Sequence, residues 1–140
     1  MFRYLVIISL TILTVACGNF GKFEKPPKVK AHLSSEVSQQ QLLDMQSSNE
    51  HFLLLDVRSS EEFSDGHIPD ALNIAHTELV TNLNNLFTFK DKNIVVYCRS
   101  GRRAGIAIDI LKENGFKHVS HLTGDMNAWQ AANMTVKTEH

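Results

Sequence analysis

Short apolar runs alternate with helical patterns along most of the chain, and this alternation constrains the fold more than any other feature. Two runs, residues 51–57 and 93–97, are almost wholly apolar and too short for helices, and a further short strand is predicted over residues 119–122. Such runs are typical of strands that are buried on both faces of a sheet. Because strands separated by helices require right-handed crossovers, we predict one α/β domain with a mostly parallel central sheet and helices on both faces.

The same patterns predict where individual elements lie. We expect a short strand over residues 29–33, followed by a helix that is capped by Ser35 and carries Val37 on its apolar face. A second helix should be capped by Thr77 and end near Phe87. The remaining predictions are a helical turn over 60–63, a strand over 71–74, helices over 104–115 and 125–132, and an extended piece over 134–137.

The first sixteen residues do not belong to this domain. Arg3 precedes an almost unbroken apolar stretch over residues 4–16, which is shorter than the roughly 20 residues that span a bilayer. The stretch closes on Thr14-Val15-Ala16-Cys17-Gly18, which resembles a bacterial lipoprotein signal. The resemblance implies a signal peptide over residues 1–16 and lipid attachment at Cys17. Thr14 stands where that family usually has a large aliphatic residue, so ordinary signal cleavage after Ala16 stays open.

Residues 17–30 have the composition of a lipid-anchored tether. After Cys17 they contain two glycines, Pro26-Pro27, and four lysines against one glutamate. Fully extended, such a segment reaches roughly 40 Å, far enough to hold a domain clear of a membrane surface. The folded domain would then occupy residues 31–140. We expect an exported, periplasmic protein that is attached to a bacterial membrane by its N-terminal lipid.

Charge and composition exclude two classes of function. The formal net charge of −1 argues against nucleic-acid binding as the main role. Seven histidines are scattered without the spacing of a zinc or haem motif, so we predict neither a metal site nor a cofactor.

Cys98 is the strongest candidate for chemistry. It follows the apolar run 93–97 and opens Arg99-Ser100-Gly101-Arg102-Arg103, which leads into a helical pattern. At a helix N-terminus the backbone N–H groups are unpaired and the helix dipole is positive, and both effects favour a thiolate. Three nearby arginines act in the same direction and argue against burial of the cysteine in an apolar site. We therefore predict a nucleophilic cysteine.

Three ordered segments resemble the rhodanese family of sulfurtransferases. Leu54-Leu55-Asp56-Val57-Arg58 and the following Gly66-His67-Ile68-Pro69-Asp70-Ala71 resemble its first half, residues 95–104 resemble its active-site loop, and residues 122–129 resemble its closing motif. The resemblance extends from about residue 29 to residue 138 and is nearest to the small single-domain thiosulfate sulfurtransferases. Asp125 stands where the family usually has a second glycine, a departure that we expect to affect only a helix start.

The resemblance implies a ping-pong reaction. Cys98 attacks the sulfane sulfur of a small anionic donor such as thiosulfate, becomes a persulfide, and passes the sulfur to cyanide, a thiol or a protein acceptor. The substrate-binding loop would be Arg99, Ser100, Gly101, Arg102 and Arg103. Within it we expect Arg103 to brace the loop while Arg99 and Arg102 meet the substrate. Asp56 and Arg58 are expected to support the neighbouring loop through a salt bridge or hydrogen bonds, and the protein to be a monomer.

Two other interpretations stay open beside this enzyme. An exported persulfide carrier or protein-interaction module with little small-molecule turnover would have the same site. If Cys17 carries no lipid, a Cys17–Cys98 disulfide would inactivate the enzyme. A cysteine-dependent phosphatase is disfavoured, since its loop pattern requires an arginine at position 104, where this chain has Ala104.

Overall fold

A parallel sheet of five strands forms the centre of the molecule, as the alternating pattern predicts. The computed structural model describes residues 34–48 and 50–139. Its strands are β1 (Glu36–Val37), β2 (Phe52–Asp56), β3 (Ala71–Asn73), β4 (Asn93–Tyr97) and β5 (His118–Leu122). The strand order is β1-β5-β4-β2-β3 and every pairing is parallel. Strand β4 therefore lies in the middle of the sheet, with its carboxyl end at the edge where such sheets carry their sites.

Within residues 34–48 and 50–139, four α-helices and one 3₁₀ helix connect the strands, and a fifth α-helix follows the last strand. They are α1 (Gln39–Ser47), α2 (Ser60–Asp65), α3 (Leu79–Asn82), a 3₁₀ helix (Leu83–Phe89), α4 (Arg102–Glu113) and α5 (Asp125–Ala131). None of the helices within the described residues is long and apolar enough to cross a membrane.

The helices cover both faces of the sheet because successive strand residues point in opposite directions. In β4, Ile94 and Val96 pack with Leu79 of α3 and Ala107 of α4 in one core cluster. The alternate residues Val95 and Tyr97 pack on the other face with Leu42 of α1 and Trp129 of α5. All of these side chains are buried. The predicted α/β architecture with helices on both faces is confirmed.

Helix α1 begins later than the sequence pattern indicates. Its N-cap is Ser38 rather than Ser35, and Val37 belongs to strand β1 rather than to the helix. The Ser38 hydroxyl accepts a hydrogen bond from the Gln41 backbone N–H at 3.2 Å, while the Gln41 side chain accepts one from the Ser38 N–H at 2.8 Å. This reciprocal capping box satisfies two otherwise unpaired donors, which a cap at Ser35 would leave without partners.

The helix predicted after Thr77 is also shorter than expected. The N-cap position of helix α3 is Glu78 instead of Thr77, and its side chain makes no capping hydrogen bond. The helix spans four residues and continues as the 3₁₀ helix that ends at Phe89. The extended piece predicted over 134–137 contributes a single antiparallel bridge between His67 and Lys137. The predicted signal peptide, Cys17, the tether and the strand over 29–33 lie outside the described residues.

Two glycines provide a matched test of this backbone. Gly124 has φ +80°, and a Cβ there would lie 2.4 Å from the Cβ of Ala128. Gly105 lies in α4, where an added Cβ would have nothing within 4 Å. We expect Gly124→Ala to lower the free energy of unfolding by about 1–3 kcal/mol. Gly105→Ala should raise it by about 0.5–1 kcal/mol, because alanine is the better helix former.

The measurement is urea unfolding of the two variants and the parent, followed by circular dichroism. Changes of the same sign in both variants would contradict the described backbone at Gly124.

Candidate active site

Cys98 lies directly beyond strand β4, at the carboxyl end of the central strand. Its Sγ accepts a hydrogen bond from the Gly101 backbone N–H at 3.1 Å. Among the described residues it is a free thiol. The side chain is only 1% exposed and packs with the core cluster that includes Val96 and Ala104. The expectation that the arginines would keep Cys98 out of an apolar environment is therefore wrong: apolar side chains cover the sulfur on one side, and the loop covers it on the other.

The loop turns from strand to helix within four residues, since β4 ends at Tyr97 and α4 begins at Arg102. Gly101 is the N-cap of α4 and has φ +101°, a backbone conformation that favours glycine. A Cβ at Gly101 would lie 3.2 Å from an oxygen of the Asp125 carboxylate. Glycine therefore lets the start of α4 lie close to the Asp125 carboxylate while its own N–H donates to the Cys98 sulfur.

The three arginines of the loop have different environments. Arg103 forms two hydrogen bonds with Glu62, at 2.5 and 2.9 Å, and both side chains are partly buried. These bonds raise the pKa of Arg103, against a smaller opposing effect of burial. Arg99 and Arg102 are exposed and form no ion pair within the described part of the chain. This placement leaves two guanidinium groups available to an anion, while the third connects the loop to α2.

Asp56 and Arg58 form a buried ion pair at the carboxyl end of β2, the strand next to β4. The Asp56 carboxylate accepts hydrogen bonds from the Arg58 backbone N–H at 3.0 Å, from Nε at 3.0 Å and from Nη2 at 2.6 Å. Arg58 also donates to the carbonyl of Gly66 at 2.8 Å. Burial opposes its charge, but the hydrogen bond and charge of Asp56 outweigh that effect and raise the pKa of Arg58. The pair fixes the turn after β2 beside the Cys98 loop.

Sequence reasoning missed three residues of the site: Glu62, His121 and Asp125. Glu62 forms a capping box with Ser59 at the start of α2. The Ser-x-x-Glu pattern indicates this cap, but it does not indicate the ion pair that Glu62 forms with Arg103. Asp125 is 2% exposed, and its Oδ1 accepts a hydrogen bond from the Cys98 N–H at 2.8 Å. The expectation that Asp125 concerns only a helix start is therefore wrong. Its position where a glycine was expected was the available signal.

A shallow depression opens beside the loop. Its lining residues combine both charges and come from α2, the turn after β2, the Cys98 loop and α5: Arg58, Glu62, Asp65, Gly66, Arg99 and Gln130. No group of three or more His, Cys, Asp or Glu side chains in residues 34–48 and 50–139 is arranged to hold a metal ion. The site can present a sulfur nucleophile, backbone donors and two exposed cations to a small anion.

Comparisons with known proteins place this geometry in a family. A family model described as "Rhodanese-like domain" matches residues 38–132. A sulfurtransferase of Allochromatium vinosum is 33% identical over 95 residues, which cover 68% of this chain and 87% of that protein. A tRNA uridine(34) hydroxylase of Wigglesworthia glossinidia brevipalpis is 42% identical over 77 residues, covering 52% of this chain. This chain spans only 24% of the length of that hydroxylase.

Two further similarities are to a protein named for a sulfur carrier role and to a solved structure with the same fold. A Bacillus subtilis protein that is named for a sulfur carrier role, YrkF, is 34% identical over 104 residues, covering 74% of this chain and 52% of that protein. The crystal structure of a thiosulfate sulfurtransferase from Pseudomonas aeruginosa superposes with a TM-score of 0.70 at 22% identity. The superposition covers 76% of this chain and 20% of the Pseudomonas aeruginosa chain. At 22% identity the similarity shows the shared fold alone.

The Glu62–Arg103 pair predicts a pH-dependent contribution to stability. Its hydrogen bonds, chiefly that from Arg103, lower the pKa of Glu62 from 4.5 to about 2. Because the folded-state pKa is the lower one, the stabilisation is complete above about pH 4.5 and is lost as the pH falls towards 2. We expect Glu62→Gln to lower the free energy of unfolding by about 1 kcal/mol near neutral pH, after solvent screening of this partly exposed pair.

The measurement is urea unfolding of parent and variant at neutral pH and near pH 2, where the difference should fall to a small fraction of its neutral-pH size. A difference of equal size at both pH values would contradict the assigned role of the Glu62 charge.

Proposed function

Because the chain belongs to the rhodanese-like domain family, we propose that it is a sulfurtransferase that works through a persulfide on Cys98. The donor would be thiosulfate or a similar sulfane compound, and the acceptor would be cyanide or a thiol. The observation that carries the proposal is the Gly101 N–H, which points at the Cys98 sulfur from 3.1 Å in a turn that ends at the start of α4. A backbone donor directed at the sulfur suits a nucleophile that carries negative charge throughout the cycle.

In the first half-reaction the Cys98 thiolate attacks the outer sulfur of thiosulfate. A new S–S bond forms to Cys98, and the S–S bond of the donor breaks. Sulfite leaves with the electron pair of the broken bond, so that no external oxidant or reductant is required. The terminal sulfur of the persulfide then carries the negative charge, which the backbone donors of the loop stabilise in place of the original thiolate.

In the second half-reaction the acceptor attacks that terminal sulfur. With cyanide, a carbon–sulfur bond forms, the persulfide S–S bond breaks, and thiocyanate leaves while the Cys98 thiolate is restored. With a thiolate acceptor the product is a persulfide on the acceptor. Each half-reaction is a single displacement at sulfur, so neither needs a strong general base once the thiolate exists.

The burial of Cys98 favours a small donor. At 1% exposure Cys98 offers little surface to a reactant, so a donor that presents a single terminal sulfur atom suits it better than a bulky group. Exposed Arg99 and Arg102 would attract the doubly negative donor to the loop and orient it. Arg103, held by Glu62, and the Asp56–Arg58 pair would keep the loop in place rather than bind the substrate.

A persulfide carrier is the second candidate function. The similarity to the Bacillus subtilis protein named for a sulfur carrier role supports it. A carrier would form the same Cys98 persulfide but release its sulfur only to a protein partner. The two functions therefore predict different outcomes once the persulfide is formed: rapid loss to cyanide for the enzyme, and retention for the carrier.

The sequence before the domain supports a proposal about location. We propose that residues 1–16 direct export and that Cys17 carries a lipid, which would place the domain on the outer side of a bacterial membrane. The chain has two cysteines, so a lipid on Cys17 would leave Cys98 without an intramolecular disulfide partner. A lone thiol in an oxidising compartment needs a reductant or a persulfide to stay active.

The first prediction of the proposed reaction concerns Cys98→Ser. The purified parent should convert thiosulfate and cyanide to thiocyanate, and the variant should show no turnover, because serine provides no thiolate. Mass spectrometry of the parent after thiosulfate alone should show one added sulfur atom on Cys98. A persulfide that forms but is not lost to cyanide would support the carrier. A folded, reduced parent that forms no persulfide would contradict both functions.

The second prediction concerns the exposed arginines. Arg99→Ala and Arg102→Ala should each raise KM for thiosulfate by about tenfold, because each removes a cation that meets the donor. The melting temperature should stay within about 2 °C of the parent, since neither side chain forms an ion pair within the described residues. Lys112→Ala, at an exposed position in the last turn of α4, is the matched control and should leave KM unchanged. Equal effects of all three substitutions would indicate a general charge effect instead of donor binding.

A further inference from the structure

A buried carboxylate lies directly behind the reactive cysteine. Oδ1 of Asp125 accepts a hydrogen bond from the Cys98 N–H at 2.8 Å, and Oδ2 is 2.9 Å from Nε2 of His121. On the opposite side of the imidazole ring, Nδ1 is 3.6 Å from the carboxylate of Glu36 in β1. Asp125 is 2% exposed, whereas the side chain of Glu36 is 59% exposed. A chain of polar contacts thus runs from the sheet edge to the backbone of Cys98.

The backbone of Asp125 is in an unfavourable conformation. Its φ is +53°, in the left-handed region that residues with a Cβ rarely adopt. A carboxylate that is also buried is costly unless it is well hydrogen-bonded. The hydrogen bonds with Cys98 and His121 offset the cost of the backbone conformation and the cost of burying the carboxylate. Such an outlier beside a reactive group points to a role in the site.

Backbone N–H groups at the start of α5 also bind the carbonyls of Cys98 and Arg99. The Met126 N–H donates to the carbonyl of Cys98 at 3.1 Å, and the Asn127 N–H donates to the carbonyl of Arg99 at 3.1 Å. In a planar trans peptide the N–H points opposite to the carbonyl. Because these two carbonyls face α5, the N–H groups of Arg99 and Ser100 must point away from it. Contacts with residues 125–127 therefore set the direction of the backbone donors that follow Cys98.

We propose that Asp125 is a positioning residue for Cys98, oriented by His121, and that it fixes the loop in the conformation that directs backbone donors at the sulfur. This inference rests on the proposed sulfur transfer. Asp125 touches the Cys98 amide rather than the substrate, so its loss should slow bond formation at sulfur without weakening donor capture. His121 acts one step further away, by holding the carboxylate so that Oδ1 faces the Cys98 N–H.

The turnover test uses a truncating and a conservative substitution at the same position. Asp125→Ala removes both acceptors and should lower kcat by about 10- to 100-fold, with KM for thiosulfate within about twofold of the parent. Asp125→Asn keeps an oxygen that can accept the Cys98 N–H and should restore kcat to within about threefold. His121→Gln should lower kcat by about threefold in the parent and have no effect when Asp125 is already alanine, since the two residues act as one unit.

The matched controls make the same chemical changes elsewhere. Asp109→Asn alters an exposed carboxylate of α4. His51→Gln alters an exposed histidine just before the amino end of β2, whereas Cys98 follows the carboxyl end of β4. Both should leave kcat and KM unchanged. If Asp125→Ala does not fold, Asp125→Gly takes its place, because glycine removes the carboxylate and accepts the positive φ without strain.

Alkylation of Cys98 by iodoacetamide separates this proposal from the sulfur-transfer proposal. The rate requires no donor or acceptor, and it should fall by about tenfold in the alanine or glycine variant as the Gly101 N–H loses its alignment with the sulfur. An inactive parent would overturn the sulfur transfer while the alkylation rates still test Asp125. Unchanged kcat and alkylation rates in the truncating variants would overturn the positioning role. Faster alkylation would also overturn it, since the carboxylate would then act on the sulfur through its charge.

Discussion

The rest of the site depends on the short turn by which the chain passes from the buried strand β4 to helix α4. Four residues, from Cys98 to Gly101, make the turn, and their N–H groups are paired neither in the sheet nor in the helix. One of those N–H groups, that of Gly101, donates to the Cys98 sulfur itself. The sulfur is therefore held by one of the groups that the turn leaves without a backbone partner. Any displacement of the turn would change both the position of the sulfur and its hydrogen bonding.

Two carboxylates hold this turn, and a third holds the neighbouring turn after β2. Asp56 pairs with Arg58 beside it, Glu62 pairs with Arg103 at its end, and Asp125 binds the N–H of Cys98 at its start. A buried charge is costly unless it is paired, and each of these acids has a partner that completes its hydrogen bonding. Their negative charges are thereby directed to the support of the loop, while the exposed Arg99 and Arg102 face solvent. The loop is therefore supported by paired carboxylates, while its exposed guanidinium groups, those of Arg99 and Arg102, form no ion pair within the described residues.

The sequence was sufficient to predict the sheet, the helices on both faces and the position of Cys98 between strand and helix, because hydrophobic periodicity records burial directly. The sequence was insufficient where two nearby residues could fill the same local role. Ser35 and Ser38 are both good N-caps, and only the reciprocal bond with Gln41 selects Ser38. Contacts between distant segments left no local pattern at all: Glu62 with Arg103, and Asp125 with Cys98, are 41 and 27 residues apart in the chain. The burial of Cys98 was missed for the same reason, since its core cluster brings together residues of β2, α3 and α4 that are distant in the chain.

The commitment of Arg103 also bears on which anion the loop can accept. A cysteine-dependent phosphatase needs a guanidinium that is free to bind two oxygens of a tetrahedral phosphate at the end of its loop. Here the arginine that ends the loop already donates two hydrogen bonds to Glu62. Freeing it would break a bidentate ion pair and leave Glu62 with the Ser59 N–H as its remaining partner. The next position, Ala104, is buried and carries no donor on its side chain. The arginine that ends the loop is therefore held by Glu62, which argues against a phosphatase-like role for it and leaves Arg99 and Arg102 as the exposed cations of the loop.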